Sequence, residues 1–262
     1  MSAEFAEFGH FAVTRHEAVT VAAISRPEKL NALTAEFWPQ LRGLLDQLPR
    51  DGQTRALVIT GEGDRAFSAG GDIAGFGDLD TVPARKAFLT DCLTAFAAVE
   101  ECPLPVIAAV NGLALGGGCE LTFACDIVLA AESAVFGMPE ASVGLVPGFG
   151  VLRAPSVIGR QWAKLMVMAG ERISAWQALE LGMVQRVVRD ADLLPAAIEI
   201  GGRIAARSPL AVEAGKRIIN RGVDRGEYGY AAETVAGLYA TRDADEGIRA
   251  FTERREARFE GR

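Results

Sequence analysis

The 262-residue sequence predicts an α/β fold of repeated strand-strand-helix units with a helical C-terminal region, and three observations carry that expectation. Continuous apolar runs at 55–60, 106–110 and 126–130 lack a polar face, as strands covered on both sides do. Glycine-rich turns, AGGD at 69–72 and GGG at 116–118, each follow one of these strands. Beyond residue 192 only helical patterns remain, at 192–206, 209–221, 226–240 and 242–257, and no low-complexity linker precedes them. Residues 1–190 are therefore expected to form the α/β body, with 191–262 a helical region packed on it.

In chain order, 11–15 and 19–24 read as two strands joined at His16-Glu17-Ala18, the second ended by Arg26-Pro27. Thr34 is a candidate N-cap for an amphipathic helix running to about Leu48, and RALVIT at 55–60 is the next strand. GEGDRA at 61–66 matches the dinucleotide fingerprint G-x-G-x-x-A, but a helix must begin there, and loop-forming FSAGGD follows instead. Apolar residues at helical spacing mark 83–101 as a helix. The strand at 106–110 breaks at Asn111-Gly112, three glycines follow, and 119–124 is helix-compatible. A strand at 126–130, a short one at 134–137, a VPGFG loop and a helix at 155–169 come next. Ser174 caps a helix at 175–181 ended by Gly182, and 184–188 is the last strand.

Composition narrows the function. Half of the residues are hydrophobic and 23% charged, as in a globular chain. A net charge of −7 and a pI near 5.1 oppose nucleic acid as the main partner. The N-terminus has neither the basic nor the apolar stretch of a signal peptide, and no apolar run approaches a membrane span, so a cytoplasmic location is expected. Cys92, Cys102, Cys119 and Cys125 show no metal-ligand spacing and read as reduced core residues. With only His10 and His16 in the chain, a nucleophile-histidine arrangement is disfavoured, and proton transfers fall to carboxylates.

The stretch PVIAAVNGLALGGGCE, 105–120, joins these points. Glycines let a ligand approach the backbone, and the first N–H groups of the helix that follows have no partner within it. A developing anion would be held by those donors and by the positive end of the helix dipole, with the Glu120 carboxylate a few residues away. The same pattern also suits a buried strand and a helix whose first-turn Glu complements the dipole.

Six stretches, RPEKLNAL (26–33), RAFSAGGDI (65–73), PVIAAVNGLALGGGCELTFACDIVLA (105–130), FGMPEASVGLVPGFG (136–150), GERISAWQALELGMVQRVV (170–188) and DADEGIRAFTERREARFEG (243–261), occur in the order found in the crotonase superfamily. The chain resembles that family from about residue 11 to its C-terminus, most closely enoyl-CoA hydratase. The resemblance implies a crotonase-like spiral of ββα repeats with a C-terminal region that forms a homotrimer or a dimer of trimers. It implies an acyl-CoA thioester as substrate, coenzyme A being part of it, with no separate cofactor and no metal.

Residue by residue, the resemblance places the oxyanion hole at the backbone N–H groups of Gly71 and Gly117. It places the acid and base at Glu120 and Glu140, the carboxylate matching Glu120 activating water and the acid matching Glu140 protonating Cα. The implied reaction is addition of water across the 2,3 double bond of a 2-enoyl-CoA. Retention of both carboxyls favours hydration or dehydration over isomerisation or thioester hydrolysis, and the alternatives to hydration of a 2-enoyl-CoA are a crotonase-fold isomerase or a specialised acyl-CoA dehydratase. A coenzyme A-binding scaffold without turnover is the reading from a different class. The implied substrate contacts are Arg26, Lys29, Leu30 and Ala32 in the first loop, Ala69, Gly70, Asp72 and Ile73 around the AGGD turn, Gly116, and Pro139. Gly148 matches a glycine whose backbone helps place the water. Phe251 and Arg254 match a segment that reaches the coenzyme of a neighbouring subunit. One departure stands out: PGFGVLR is a residue shorter than the family's usual run after Pro-Gly, which directs attention to Phe149 as a shaper of the acyl pocket.

Overall fold

A computed structural model describes residues 6–73, 81–220, 229, 232–233, 236–237, 239–255 and 257. The chain opens with β1 (Ala6–Phe8), β2 (Phe11–His16) and β3 (Val19–Ile24), then α1 (Phe37–Gln47), β4 (Ala56–Gly61), β5 (Ala66–Ser68) and α2 (Val82–Glu101). It continues through β6 (Val106–Val110), β7 (Leu113–Leu115), α3 (Gly117–Ala124), β8 (Ile127–Ala131), β9 (Val135–Gly137), a 3₁₀ turn at Glu140–Val143, α4 (Gly150–Val157) and α5 (Gly159–Ala169). β10 (Arg172–Ser174), α6 (Ala175–Glu180), β11 (Arg186–Val188), α7 (Leu193–Ala205), α8 (Pro209–Ile219) and α9 (Arg242–Glu253) complete the described elements.

Among the described residues the strands form two sheets, a large one in the order β1-β2-β3-β4-β6-β8-β11 and a small one in the order β10-β9-β7-β5. From β3 onward the large sheet is parallel, while β9, β7 and β5 are parallel in the small one. Each pass of the chain lays one strand in the large sheet and the next in the small: β4 then β5, β6 then β7, β8 then β9. A helix or helical turn follows each pair, which is the spiral expected from the sequence. The turns between paired strands are tight. A Cβ on Gly112 would meet the Arg65 carbonyl oxygen at 2.4 Å, so no side chain fits where the two sheets part.

The apolar character of β4 and β6 has a direct cause. The inner faces pack on a core that includes Phe37, Leu41, Phe67 and Phe96, and the outer faces of β3, β4, β6 and β8 are covered by α7 through Leu193 and Ala197. The helical region is also locked to the body by a buried cation. Lys216 of α8 donates to the carbonyls of Val99 (2.9 Å) and Leu104 (3.1 Å) and pairs with Asp126 at 2.7 Å.

Several expectations need correction. The first helix begins at Phe37, because residues 34–36 form a turn in which Thr34 faces His10 instead of capping the helix. The helix expected at 155–169 is two, α4 and α5, divided at Gly159, whose φ of +77° ends one and starts the other. β5, β7 and β10 were not expected at all; at three residues each they are too short to show a period. Gly61–Ala66 runs from strand to strand with no helix, which removes the dinucleotide-binding reading. Most of the helix expected at 226–240 lies outside the described residues. No helix among them is long and apolar enough to cross a membrane.

Candidate active site

The three glycines before α3 have different tasks. Gly116 caps the helix with φ +51°, a conformation that side chains rarely adopt, and Gly118 lets α3 press on β5, since a Cβ there would meet the Ser68 carbonyl oxygen at 2.4 Å. Gly117 is the first helical residue, so its N–H has no acceptor within the helix. The other glycine turn folds back on the 26–33 loop. Ala69 N donates to Leu30 O (2.9 Å), Leu33 N to Gly70 O (2.8 Å) and Asp72 N to Leu33 O (2.9 Å). This is a parallel bridge between Leu33 and Gly71, and it turns the N–H of Gly71 to the side away from Leu33. The two turns touch: a Cβ on Gly116 would lie 3.8 Å from the Gly70 Cα. Gly71 and Gly117 thus line one cavity, and among the described residues the amide of each has no backbone acceptor.

Two carboxyl groups line the same cavity. Glu120, one turn into α3 and 6% exposed, accepts hydrogen bonds at Oε1 from the N–H groups of Phe149 and Gly150, both at 2.7 Å. Glu140 opens the 3₁₀ turn after β9, and its carboxyl abuts the GGG turn, since a Cβ on Gly116 would lie 3.0 Å from its Oε1. Its Oε2 is buried without a hydrogen-bond partner. Burial raises the Glu120 pKa above the usual carboxylate range, while the two N–H donors oppose the rise. Burial, reinforced by the charge of Glu120, pushes Glu140 up to about 8. One carboxyl is therefore supplied with donors that favour its anion, and the other is left in surroundings that keep its proton.

The remaining walls are apolar. Trp38 of α1, Phe96 and Leu93 of α2, Phe149 and Tyr239 enclose the region beside the carboxyls. Phe149 is fully buried and stacks on Phe96 with ring centroids 4.7 Å apart. Among the described residues no cluster of three or more His, Cys, Asp or Glu has the geometry to hold a metal ion, and neither histidine lines the cavity.

Residues 14–262 match the family model described as Enoyl-CoA hydratase/isomerase. The chain belongs to that family. It is 38% identical over 250 residues to a crotonyl-CoA hydratase of Syntrophomonas wolfei, covering 94% of this chain and 95% of the relative. It is 34% identical over 253 residues to a short-chain-enoyl-CoA hydratase of Clostridium acetobutylicum, covering 95% and 97%. Its fold matches an enoyl-CoA hydratase/isomerase crystal structure from Mycobacterium paratuberculosis with a TM-score of 0.85 at 34% identity, over 92% of this chain and 97% of that one. An enoyl-CoA hydratase of Bacillus anthracis matches with a TM-score of 0.78 at 36% identity, over 97% and 100%.

Of the residues singled out in the sequence, the four backbone and carboxyl groups, Gly71, Gly117, Glu120 and Glu140, share the cavity. So do Ala69, Gly70, Ile73, Gly116, Pro139, Gly148, Phe149 and Phe251. Phe251 borders the cavity of its own chain while remaining 60% exposed. Six others lie outside the cavity. Arg26 and Asp72 face each other at 3.1 Å, and Arg26 also donates to the Ala32 carbonyl, so that they tie the 26–33 loop to the AGGD turn. Leu30 and Ala32 belong to that same loop, Lys29 is exposed on it, and Arg254 is the exposed left-handed residue ending α9. Trp38, Leu93, Phe96 and Tyr239 were not anticipated as site residues, because they read as ordinary core positions until the fold brings them to one wall.

Proposed function

We propose that this protein adds water across the 2,3 double bond of a 2-enoyl-CoA thioester. The observation that carries the reading is the unlike pair of carboxyls on one cavity, Glu120 held by two N–H donors and Glu140 with a partnerless oxygen and a pKa near 8. In this reading the thioester oxygen sits between the N–H groups of Gly71 and Gly117. Each donor is worth about 3–4 kcal/mol as negative charge develops on that oxygen. The ionised Glu120 takes a proton from water as the oxygen bonds to Cβ, and Glu140 delivers its proton to Cα. Afterwards Glu120 bears a proton and Glu140 lacks one, and exchange with solvent resets the pair. Two groups of different proton affinity suit this pair of transfers, whereas an isomerase moving one proton between carbons needs a single shuttle.

The names of the relatives direct the choice of probe to a short acyl chain, and the apolar wall of Trp38, Phe96 and Phe149 suits one. Crotonyl-CoA incubated with the purified protein should lose its conjugated-thioester absorbance. Glu120→Gln and Glu140→Gln should each lower kcat by at least about 100-fold, the scale of losing an acid-base group. No hydration by the wild-type protein, or rates unaffected by either substitution, would reject the proposal and leave the isomerase or non-catalytic reading.

Assembly is part of the same proposal. α8 exposes Leu210, Ile218 and Ile219 at 76%, 66% and 82%, an apolar surface that a homotrimer or dimer of trimers would cover. A monomer mass by light scattering would refute that part.

A further inference from the structure

The donors that hold Glu120 are main-chain amides, so their aim depends on what holds residues 149 and 150. The Phe149 ring has no hydrogen-bonding group, and its flat neighbours include the Phe96 ring stacked at 4.7 Å and the guanidinium of Arg153, 5.2 Å from the ring centroid. Arg153 lies one helical turn beyond Phe149, and its N–H donates to the Phe149 carbonyl at 3.1 Å. Its guanidinium is forked onto Glu100 of α2, Nε to Oε1 at 2.7 Å and Nη2 to Oε2 at 3.1 Å, with only 11% and 14% of the two side chains exposed.

We propose that the Glu100–Arg153 pair is a positioning device for Glu120, clamping the Phe149–Gly150 turn between α2 and α4 so that both N–H groups stay aimed at one carboxylate oxygen. The inference rests on the reading of Glu120 as the base. Arg153 acts on Glu120 through Phe149, over whose ring its guanidinium lies.

Arginine suits the task for geometric reasons. The bidentate fork fixes the plane of the guanidinium, and the same planar cation can lie over an aromatic ring. A lysine in its place keeps the charge but has neither the plane nor the second hydrogen bond. A buried ion pair contributes little stability beyond what well-packed apolar residues of similar size supply, so stability alone does not call for a charged pair here. If the clamp loosens, the N–H bonds to Glu120 lengthen, its anion loses support, and its proton is held to higher pH. Among the described residues the other titratable groups facing Glu120 are Glu140 from the 3₁₀ turn, Cys92 from α2, Cys119 on its own helix and Tyr239, none of which is substituted in the variants below.

The test uses full-length protein carrying Arg153→Lys, or Arg153→Met with Glu100→Met. Two quantities are read: the pH dependence of kcat and KM with crotonyl-CoA, and the titration of the Glu120 carboxyl followed by isotope-edited infrared spectroscopy without substrate. Arg153→Lys should lower kcat about tenfold with KM nearly unchanged, and raise the Glu120 midpoint by about one pH unit, the equivalent of that factor. The double-Met variant should regain wild-type melting temperature while keeping both defects. A double-Met variant with wild-type stability, kcat and Glu120 midpoint would overturn the inference and reduce the pair to packing. If the wild-type protein fails to hydrate crotonyl-CoA, the functional reading falls, whereas the Glu120 midpoint in the free variants still decides whether the pair acts on that carboxyl.

Discussion

Glu140→Gln should stabilise the protein relative to wild type increasingly as pH rises, by a margin derived from the structure. Burial, with the nearby charge of Glu120, holds the Glu140 carboxyl at about 8 in place of the ordinary 4.5. Between those values the native protein keeps a proton that the unfolded chain releases. The native state therefore binds more protons, and stability falls as pH rises through the interval. Each pH unit is worth about 1.4 kcal/mol, so the full interval amounts to about 5 kcal/mol. Solvent entering this part-buried site screens some of it, which places the expected loss at about 2–5 kcal/mol. Below 4.5 the carboxyl is neutral in both states and the term vanishes. Urea denaturation of wild type and Glu140→Gln at a single protein concentration, from pH 4.5 to 9, isolates the effect, because Gln does not titrate. The difference between the two stabilities should open steadily and level off above pH 8. A flat difference, or one of opposite slope, would refute the assignment of Glu140 as a carboxyl that keeps its proton. With Glu120→Gln in both partners the like charge is gone, and the difference should open over a narrower and lower pH range.

Three further perturbations follow from close contacts. Gly116→Ala places a Cβ 3.0 Å from Glu140 Oε1 at a residue with φ +51°, so stability should drop by about 1–2 kcal/mol and kcat should fall more than KM changes, as steady-state kinetics would read. Gly247→Ala brings a Cβ within 2.3–2.5 Å of the Val143 backbone, so α9 must lift from the 3₁₀ turn that carries Glu140; a loss of about 1–3 kcal/mol in thermal or urea unfolding, with lower activity, is expected. Lys216→Met strands the part-buried Asp126 carboxylate and should cost about 2–4 kcal/mol in urea denaturation, most of it recovered when Asp126→Asn is added. Recovery of nothing by the second substitution would show that Lys216 acts through its carbonyl bonds to Val99 and Leu104 instead.

Local chemistry made part of this protein legible. Val106–Val110 is apolar because both faces of the large sheet are covered, and Glu120 falls in the first turn of a helix because a glycine run precedes it; each feature is encoded within a few neighbouring residues. The strands of the small sheet were hidden, since Leu113–Leu115 is defined by partners at Ala66–Ser68 and Val135–Gly137 and not by a pattern of its own. Neither Arg26 nor Asp72 announces in sequence that the other will claim it across 46 residues.

The sequence by itself determined the buried strands of the large sheet, the two glycine turns and the presence of two glutamates, because period, turn chemistry and residue type are properties of short stretches. Only the tertiary structure decided that those turns meet, that Phe149 and Gly150 present their N–H groups to Glu120, and that Glu140 keeps its proton to about pH 8. Proton affinity depends on burial and on neighbouring charge, and both come into being when segments far apart in the chain exclude water together.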